Sequence, residues 1–338
     1  MSQGTRYGAL AKAQDHGHRS EVGFDRAVQI STDWVSRRLT TPTSADNKYT
    51  RGAVLVATGS PTYPGAAVLG CLGAAKTGSG YVRYLGPTRC EDLVLARLPE
   101  AVMGGGRCDA AVIGSGWDAS MASIVDTVAR DCGQNRTPLV VDAGALTGAR
   151  EWAEGGAPVV ATPHPGEAVS LMRQLIPDRV LSREQVEESP AHVSALLARA
   201  LGAVVVVKAA KTAVADPRGP VYVFTAPAGW GAVAGAGDVL AGVIATCLAA
   251  RSGDLEQSTE TKVQLSEGSA SLLRSSALGE AVAVGVGIHG LAAGFASGVL
   301  DGELGSSGTQ GHPILATDIA EAIPVTIGVL LSRAHGSL

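Results

Sequence analysis

The residues best suited by type and spacing to do chemistry are Gly235-Ala236-Gly237-Asp238, followed at once by the apolar run Val239-Leu240-Ala241-Gly242-Val243-Ile244-Ala245. Small residues let backbone N–H groups approach a ligand closely, and a helix starting near Gly237 adds unpaired donors and a positive dipole end. That combination suits a phosphate. Asp238 would be repelled by a bare phosphate, so a carboxylate beside an anion hole suggests a base that takes a proton from a substrate hydroxyl. Asp is also favoured at helix starts, and glycine is common before them, so the same residues read as a cap. The motif alone leaves both open.

Three further residues are candidates. His164 lies between Pro163 and Pro165, which fix the backbone and hold the imidazole at a strand end, either as a ligand contact or as a turn residue. Lys208 follows five apolar residues, so its charge emerges at a strand tip, where it can neutralise a phosphate or simply end the strand. His289, inside an Ala/Gly/Val helix, is expected to be a core histidine with a satisfied hydrogen bond and no chemical role.

The elements that must hold these residues follow from the apolar runs. The chain is 46% hydrophobic and only 4% aromatic, so its core is built from Ala, Val, Leu and Ile, which suits a parallel sheet covered by helices. Short buried strands are expected at 53–57, 81–84, 110–113, 138–142, 158–161 and 203–207, with a hairpin over 212–224. Helices are expected at 66–76, 118–130, 183–200, from about 237, at 267–299 and at 317–333. Polar or glycine-rich residues follow the strands, and in open α/β sheets that edge binds ligands, so Gly65, Gly116, Asp142 and His164 are expected to face one crevice. Residues 251–268 are polar and read as an exposed excursion. Residues 1–46 read as an irregular tail and lead-in, and 47–334 as a single domain.

Composition also excludes partners. The net charge is −4 with scattered Lys and Arg, unlike the basic stripe that nucleic acid or an anionic membrane requires. Five widely spaced cysteines show no metal-ligand spacing, which points to reduced thiols and a cytoplasmic protein without a secretory signal. Residues 281–300 are long enough to span a bilayer but contain His289, Ser297 and many glycines, and read as a buried helix.

Taken in order, the motifs resemble the bacterial ADP-dependent NAD(P)H-hydrate dehydratases of the ribokinase-like superfamily. The resemblance rests on Gly59-Ser60 through Gly80, Ile113-Gly114-Ser115-Gly116, Val141-Asp142-Ala143-Gly144-Ala145-Leu146, Thr162-Pro163-His164-Pro165-Gly166-Glu167, Lys208 to Thr212, Gly235 to Gly242 and His289-Gly290-Leu291-Ala292. It spans most of residues 47–326, and the Thr-Pro-His-Pro-Gly-Glu run is its most specific part. It implies a ribokinase-like, doubly wound, mostly parallel sheet flanked by helices. It further implies that hydrated NADH or NADPH (NADHX, NADPHX) is returned to the reduced dinucleotide while ADP is cleaved to AMP and phosphate. ATP is the alternative donor and Mg²⁺ the implied ion.

Carried over, Ala67, Gly116, His164 and Asp238 resemble hydrate-contacting positions, with Asp238 as the base. Lys208, Ala209, Ala210, Lys211, Thr212 and Gly237 resemble nucleotide-contacting ones. The resemblance also implies a homo-oligomer, a tetramer, and an NAD(P)H-hydrate epimerase on a separate chain. Three positions depart from the family's common pattern: Asn47 stands for His, Ser115 for Pro and Ala209 for Gly. A Cβ at 209 would obstruct nucleotide approach if that position needed a glycine-only conformation. Two other readings share the motifs: a ribokinase-like kinase of a vitamin or sugar hydroxyl, and a catalytically silent nucleotide-binding module.

Overall fold

The computed structural model describes residues 27–251 and 267–334, without the side chains of 267–276. Its strands in chain order are β1 (Val28–Gln29), β2 (Ala53–Ala57), β3 (Tyr81–Tyr84), β4 (Val102–Met103), β5 (Ala110–Ile113), β6 (Leu139–Val141), β7 (Val159–Ala161), β8 (Val204–Val207), β9 (Lys211–Ala215) and β10 (Val221–Thr225). They form one sheet in the order β1-β10-β9-β8-β7-β6-β5-β2-β3-β4. β9 runs antiparallel to both its neighbours, and the other pairs are parallel.

The unbroken apolar strands are explained by burial on both faces. In β2, Val54 and Val56 enter one core layer while Leu55 and Ala57 enter the other, as the two-residue period of a strand requires. The first layer packs under α1 (Thr32–Ser36), α2 (Gly65–Lys76), α3 (Thr88–Arg97), α9 (Ala236–Ala249), α10 (Glu267–Ala296) and α11 (Ala316–Ala334). The second packs under α4 (Ala122–Asn135), α5 (Ala149–Glu154), α6 (Pro165–Leu175), α7 (Arg183–Glu188) and α8 (Pro190–Leu201). This is the doubly wound arrangement expected.

Two features of this frame set up the site. The strand order reverses between β2 and β5, which opens a crevice at their carboxyl ends. There the Gly59 N–H donates to the Ser115 carbonyl at 2.8 Å. Second, α2 and α9 pack backbone to backbone. A Cβ on Gly73 would collide with the Val239 carbonyl, and one on Gly242 with the Gly70 carbonyl. Thr246 on α9 donates to the Ala74 carbonyl at 3.0 Å, so the start of α9 is held rigidly against α2.

Several boundaries differ from the sequence reading. Within residues 1–46, β1 pairs with β10, Trp34 and Val35 are buried, and the Ser36 hydroxyl donates to the Leu330 carbonyl at 2.6 Å. Part of the supposed lead-in is therefore core. The helix expected at 183–200 is two, because Pro190 cannot continue the first and instead starts the second. The helix expected at 118 begins at Ala122, after Asp118 caps a 3₁₀ turn by accepting from the Ser120 N–H at 2.9 Å. α3 and α6 had not been anticipated. Within α10, Ala277–Ala296 is long and apolar enough to cross a membrane, yet 72% of it is buried in the fold, in keeping with the buried helix expected. Most of the polar excursion at 251–268 lies outside the described residues.

Candidate active site

The parallel strands deliver Ser115, Asp142, Thr162 and Lys208 to one edge, each within two residues of a strand's carboxyl end. They form a single network around the buried Asp142 carboxylate. Its Oδ1 accepts from the Lys208 Nζ at 2.5 Å and from the Thr162 hydroxyl at 2.7 Å. Its Oδ2 accepts from the Ser115 hydroxyl at 2.8 Å. Burial pushes the Asp142 carboxyl upward, but the Lys208 charge and the three hydrogen bonds outweigh it and hold the group below its ordinary range. Ala143, next in the chain, has φ = 44°, a left-handed conformation that is strained for alanine.

Asp238 sits in the first turn of α9, facing this network. The N-cap of α9 is Gly235, at φ = 87° and without any side-chain cap bond, so the cap reading of Asp238 finds no support. Burial pushes the Asp238 carboxyl up to about 6, and the Asp142 charge adds to the rise while Lys208 opposes it. A carboxylate tuned to that value is ionised at neutral pH yet basic enough to accept a proton. Gly237 keeps the α9 N-terminus open over the ammonium: a Cβ there would stand 3.3 Å from the Lys208 Nζ.

Residues 54–294 match the model of a family described as NAD(P)H-hydrate dehydratase. The chain belongs to the NAD(P)H-hydrate dehydratase family. It is 39% identical over 249 residues to a Mycobacterium tuberculosis protein named bifunctional NAD(P)H-hydrate repair enzyme Nnr, covering 70% of this chain and 47% of that one. A Xanthomonas campestris protein named ADP-dependent (S)-NAD(P)H-hydrate dehydratase is 34% identical over 224 residues, 60% of this chain and 74% of its own length. A crystal structure of the ADP/ATP-dependent NAD(P)H-hydrate dehydratase from Bacillus subtilis, co-crystallised with ATP and Mg²⁺, shares the fold. Its TM-score is 0.69 at 24% identity, covering 90% of this chain and 99% of the other. The chain spans about half the length of the bifunctional relatives it matches.

Among the expected hydrate-contacting positions, His164 has a structural job. It is the N-cap of α6: its Nδ1 accepts from the Gly166 and Glu167 N–H groups at 3.0 and 3.2 Å, and the Glu167 carboxylate accepts from the His164 N–H at 2.8 Å. With Nδ1 an acceptor, a ring hydrogen is carried on Nε2, which lies 3.5 Å from the Glu167 carboxylate. Ala67 corrects the sequence reading, because it has no exposed surface and packs under the Gly59 turn. Gly116, at φ = 62°, is held in the same turn, where a Cβ would stand 2.6 Å from that of Ala66.

Lys208, Ala209 and Ala210 form the connection from β8 to β9, and Lys211 and Thr212 open β9. The Lys208 N–H donates to the Pro163 carbonyl at 2.9 Å and the Thr212 hydroxyl to the Ala209 carbonyl at 2.9 Å. Ala209 is not among the residues of positive φ, so the position needs no glycine-only conformation and the concern over its Cβ is removed on that count. Ser115, another departure from the family's pattern, adds a hydrogen bond to Asp142. Asn47 is an exposed turn residue whose Oδ1 accepts from the Tyr49 N–H at 2.8 Å.

His289 meets the expectation in part: the ring is buried and hydrogen-bonds the Ala236 backbone, but its Nε2 has no hydrogen-bond partner among the described residues. Burial pushes the ring down to about 4, leaving it neutral beside the Ala236 backbone. Sequence reasoning also left Asp142, Ser115 and Thr162 without roles. The visible signals were a carboxylate ending an apolar strand and hydroxyls in two motifs, but nothing in one dimension joins positions this far apart.

Proposed function

We propose that this chain dehydrates the S epimer of hydrated NADH or NADPH to the reduced dinucleotide, consuming ADP and releasing AMP and phosphate. The observation that carries the reading is a carboxylate tuned to about 6 at a helix N-terminus, beside a lysine held by a buried aspartate. Family membership and the name of the Xanthomonas relative support the substrate and the donor.

Hydroxide is a poor leaving group from the hydrated ring, and phosphate is a good one. Asp238 takes the proton of the ring hydroxyl as its oxygen attacks the terminal phosphorus of ADP, and the bond to AMP breaks. Lys208 and the N–H groups at the start of α9 hold the charge that builds on the moving phosphoryl group. The ring nitrogen's electron pair then expels phosphate, and loss of the neighbouring C–H proton restores the dihydronicotinamide. His164 donates from Nε2 to the hydrate, while Ala209, Ala210, Lys211 and Thr212 flank the nucleotide. Gly237 lets its phosphates approach.

Among the described residues no three His, Cys, Asp or Glu side chains converge, and Asp142 already accepts three hydrogen bonds. That donor set suits an Mg²⁺ ion carried in on the nucleotide's phosphates and completed by water, where it would screen their charge. The five free thiols suit a reducing compartment such as the cytoplasm. Epimerisation of the other hydrate is assigned to a separate activity. The test is to incubate the protein with hydrated NADH and either ADP or ATP, following absorbance and nucleotide products. NADH, AMP and phosphate are expected, faster with ADP. A stable phosphorylated product would make the protein a kinase, and no product at all a silent binding module.

A further inference from the structure

We propose that the groove between α4 and α5 binds the adenine end of the hydrated dinucleotide. The inference rests on the function proposed above. That reading places only the nicotinamide end of the substrate, beside Asp238, so the far base needs a flat, sequestered surface within reach of the crevice.

Trp117 directly follows Gly116, and its ring lies against Gly144, two residues beyond Asp142: a Cβ on Gly144 would stand 2.5 Å from Cε3 of the indole. Trp152 faces the same groove and lies against Gly148, where a Cβ would stand 2.6 Å from its ring. Both indoles are thus seated on glycines of one 3₁₀ segment, Ala143–Gly148, which starts at the strained residue after Asp142. A side chain at either glycine would lift an indole from its seat.

The chain has only four tryptophans, so two in one groove is a concentrated investment of ring surface. The other two are committed elsewhere. Trp34 packs against Tyr222 with ring centroids 5.4 Å apart, and the Trp230 N–H donates to the Gln310 carbonyl at 2.6 Å. By contrast, the Trp117 indole nitrogen is buried without a partner among the described residues, so no hydrogen bond within the described fold accounts for where this ring sits. The groove has a volume of about 670 Å³, within the range of small-molecule sites. Arg130 and Glu151 stand exposed at its rim, where they can meet ribose hydroxyls.

The test compares hydrated NADH with the hydrate of reduced nicotinamide mononucleotide, which lacks the adenosine half. Base stacking on an aromatic side chain contributes about 1–3 kcal/mol, so the wild-type protein is expected to favour the full hydrate in kcat/KM by about fivefold to 150-fold. In Trp152→Ala that preference is expected to collapse towards unity through loss of the full hydrate alone, with the KM for ADP unmoved. Trp152→Phe is expected to restore most of it. Should Trp152→Ala fail to fold, Trp152→Leu supplies the same comparison with the apolar volume kept. An unchanged preference in a folded variant, or equal losses for both hydrates, would overturn the groove assignment. If the wild-type protein turns over neither hydrate, the parent function has failed and the groove assignment falls with it.

Discussion

Asp142 and Asp238 share one lysine, and their carboxyls are driven to opposite sides of the ordinary carboxylate range. Asp142 is held low by Lys208 and three hydrogen bonds, whereas Asp238 is held high by burial and by Asp142 itself. The wild-type kcat/KM is therefore expected to fall as pH drops through about 6. Asp142→Asn removes the repelling charge and leaves Lys208 in place, and both effects lower the Asp238 value. The acid limb of the pH–rate profile should move to lower pH, and a limb that stays put or rises would show that Asp142 does not tune the base. His164 requires a pair of variants because it also caps α6. His164→Ala loses the cap, worth about 0.5–2 kcal/mol, while Asn can still cap. Both are expected to raise the KM for the hydrate and leave that for ADP unchanged, but only Ala should lower the melting temperature. A hydrate KM that follows the melting temperature would reduce His164 to a cap.

At the scale of elements, the α2–α9 contact decides where the Asp238 carboxylate stands. A methyl on Gly242 would meet the Gly70 carbonyl and, at 2.7 Å, the Ala74 nitrogen, all backbone that cannot swing aside. Gly242→Ala is therefore expected to cost about 1–3 kcal/mol and to lower kcat by displacing the first turn of α9. Gly237→Ala meets only the flexible end of Lys208 at 3.3 Å, so it should leave stability nearly unchanged and raise the KM for ADP. Thermal melts and kinetics on the two variants separate these roles, and equal stability losses would contradict the packing argument. The central strands were legible in the sequence because both faces are buried and the run of Val and Ala is unbroken. α3 was not, since its ten residues bury only Cys90 and Val94. β1 and α1, of two and five residues, carry too little pattern to be read and are set by packing on β10 and α11.

Over the whole molecule, the sequence located the edge of the sheet that matters but not the contacts across it. Lys208 read as a phosphate-neutralising residue, yet its nearest partner is a carboxylate 66 positions away. That pairing follows from β6, β7 and β8 lying side by side, which no local pattern reveals. The same architecture makes the raised carboxyl of Asp238 costly to the fold. Its value near 6 exceeds the ordinary 3.8, so the wild-type protein loses stability as pH rises through that interval and carries the full penalty above it. Asp238→Asn lifts a burden on the order of 1–3 kcal/mol at neutral pH, and the gain should vanish below pH ~4.

The central claim is tested most directly by measuring NADH and AMP formation from hydrated NADH and ADP with folded Asp238→Asn at neutral pH. Turnover is expected to fall about a hundredfold to ten-thousandfold, as for loss of a general base, while ADP still binds and the melting temperature is at or above that of the wild type. Near wild-type formation of NADH and AMP by that variant would remove Asp238 from the mechanism and contradict the account.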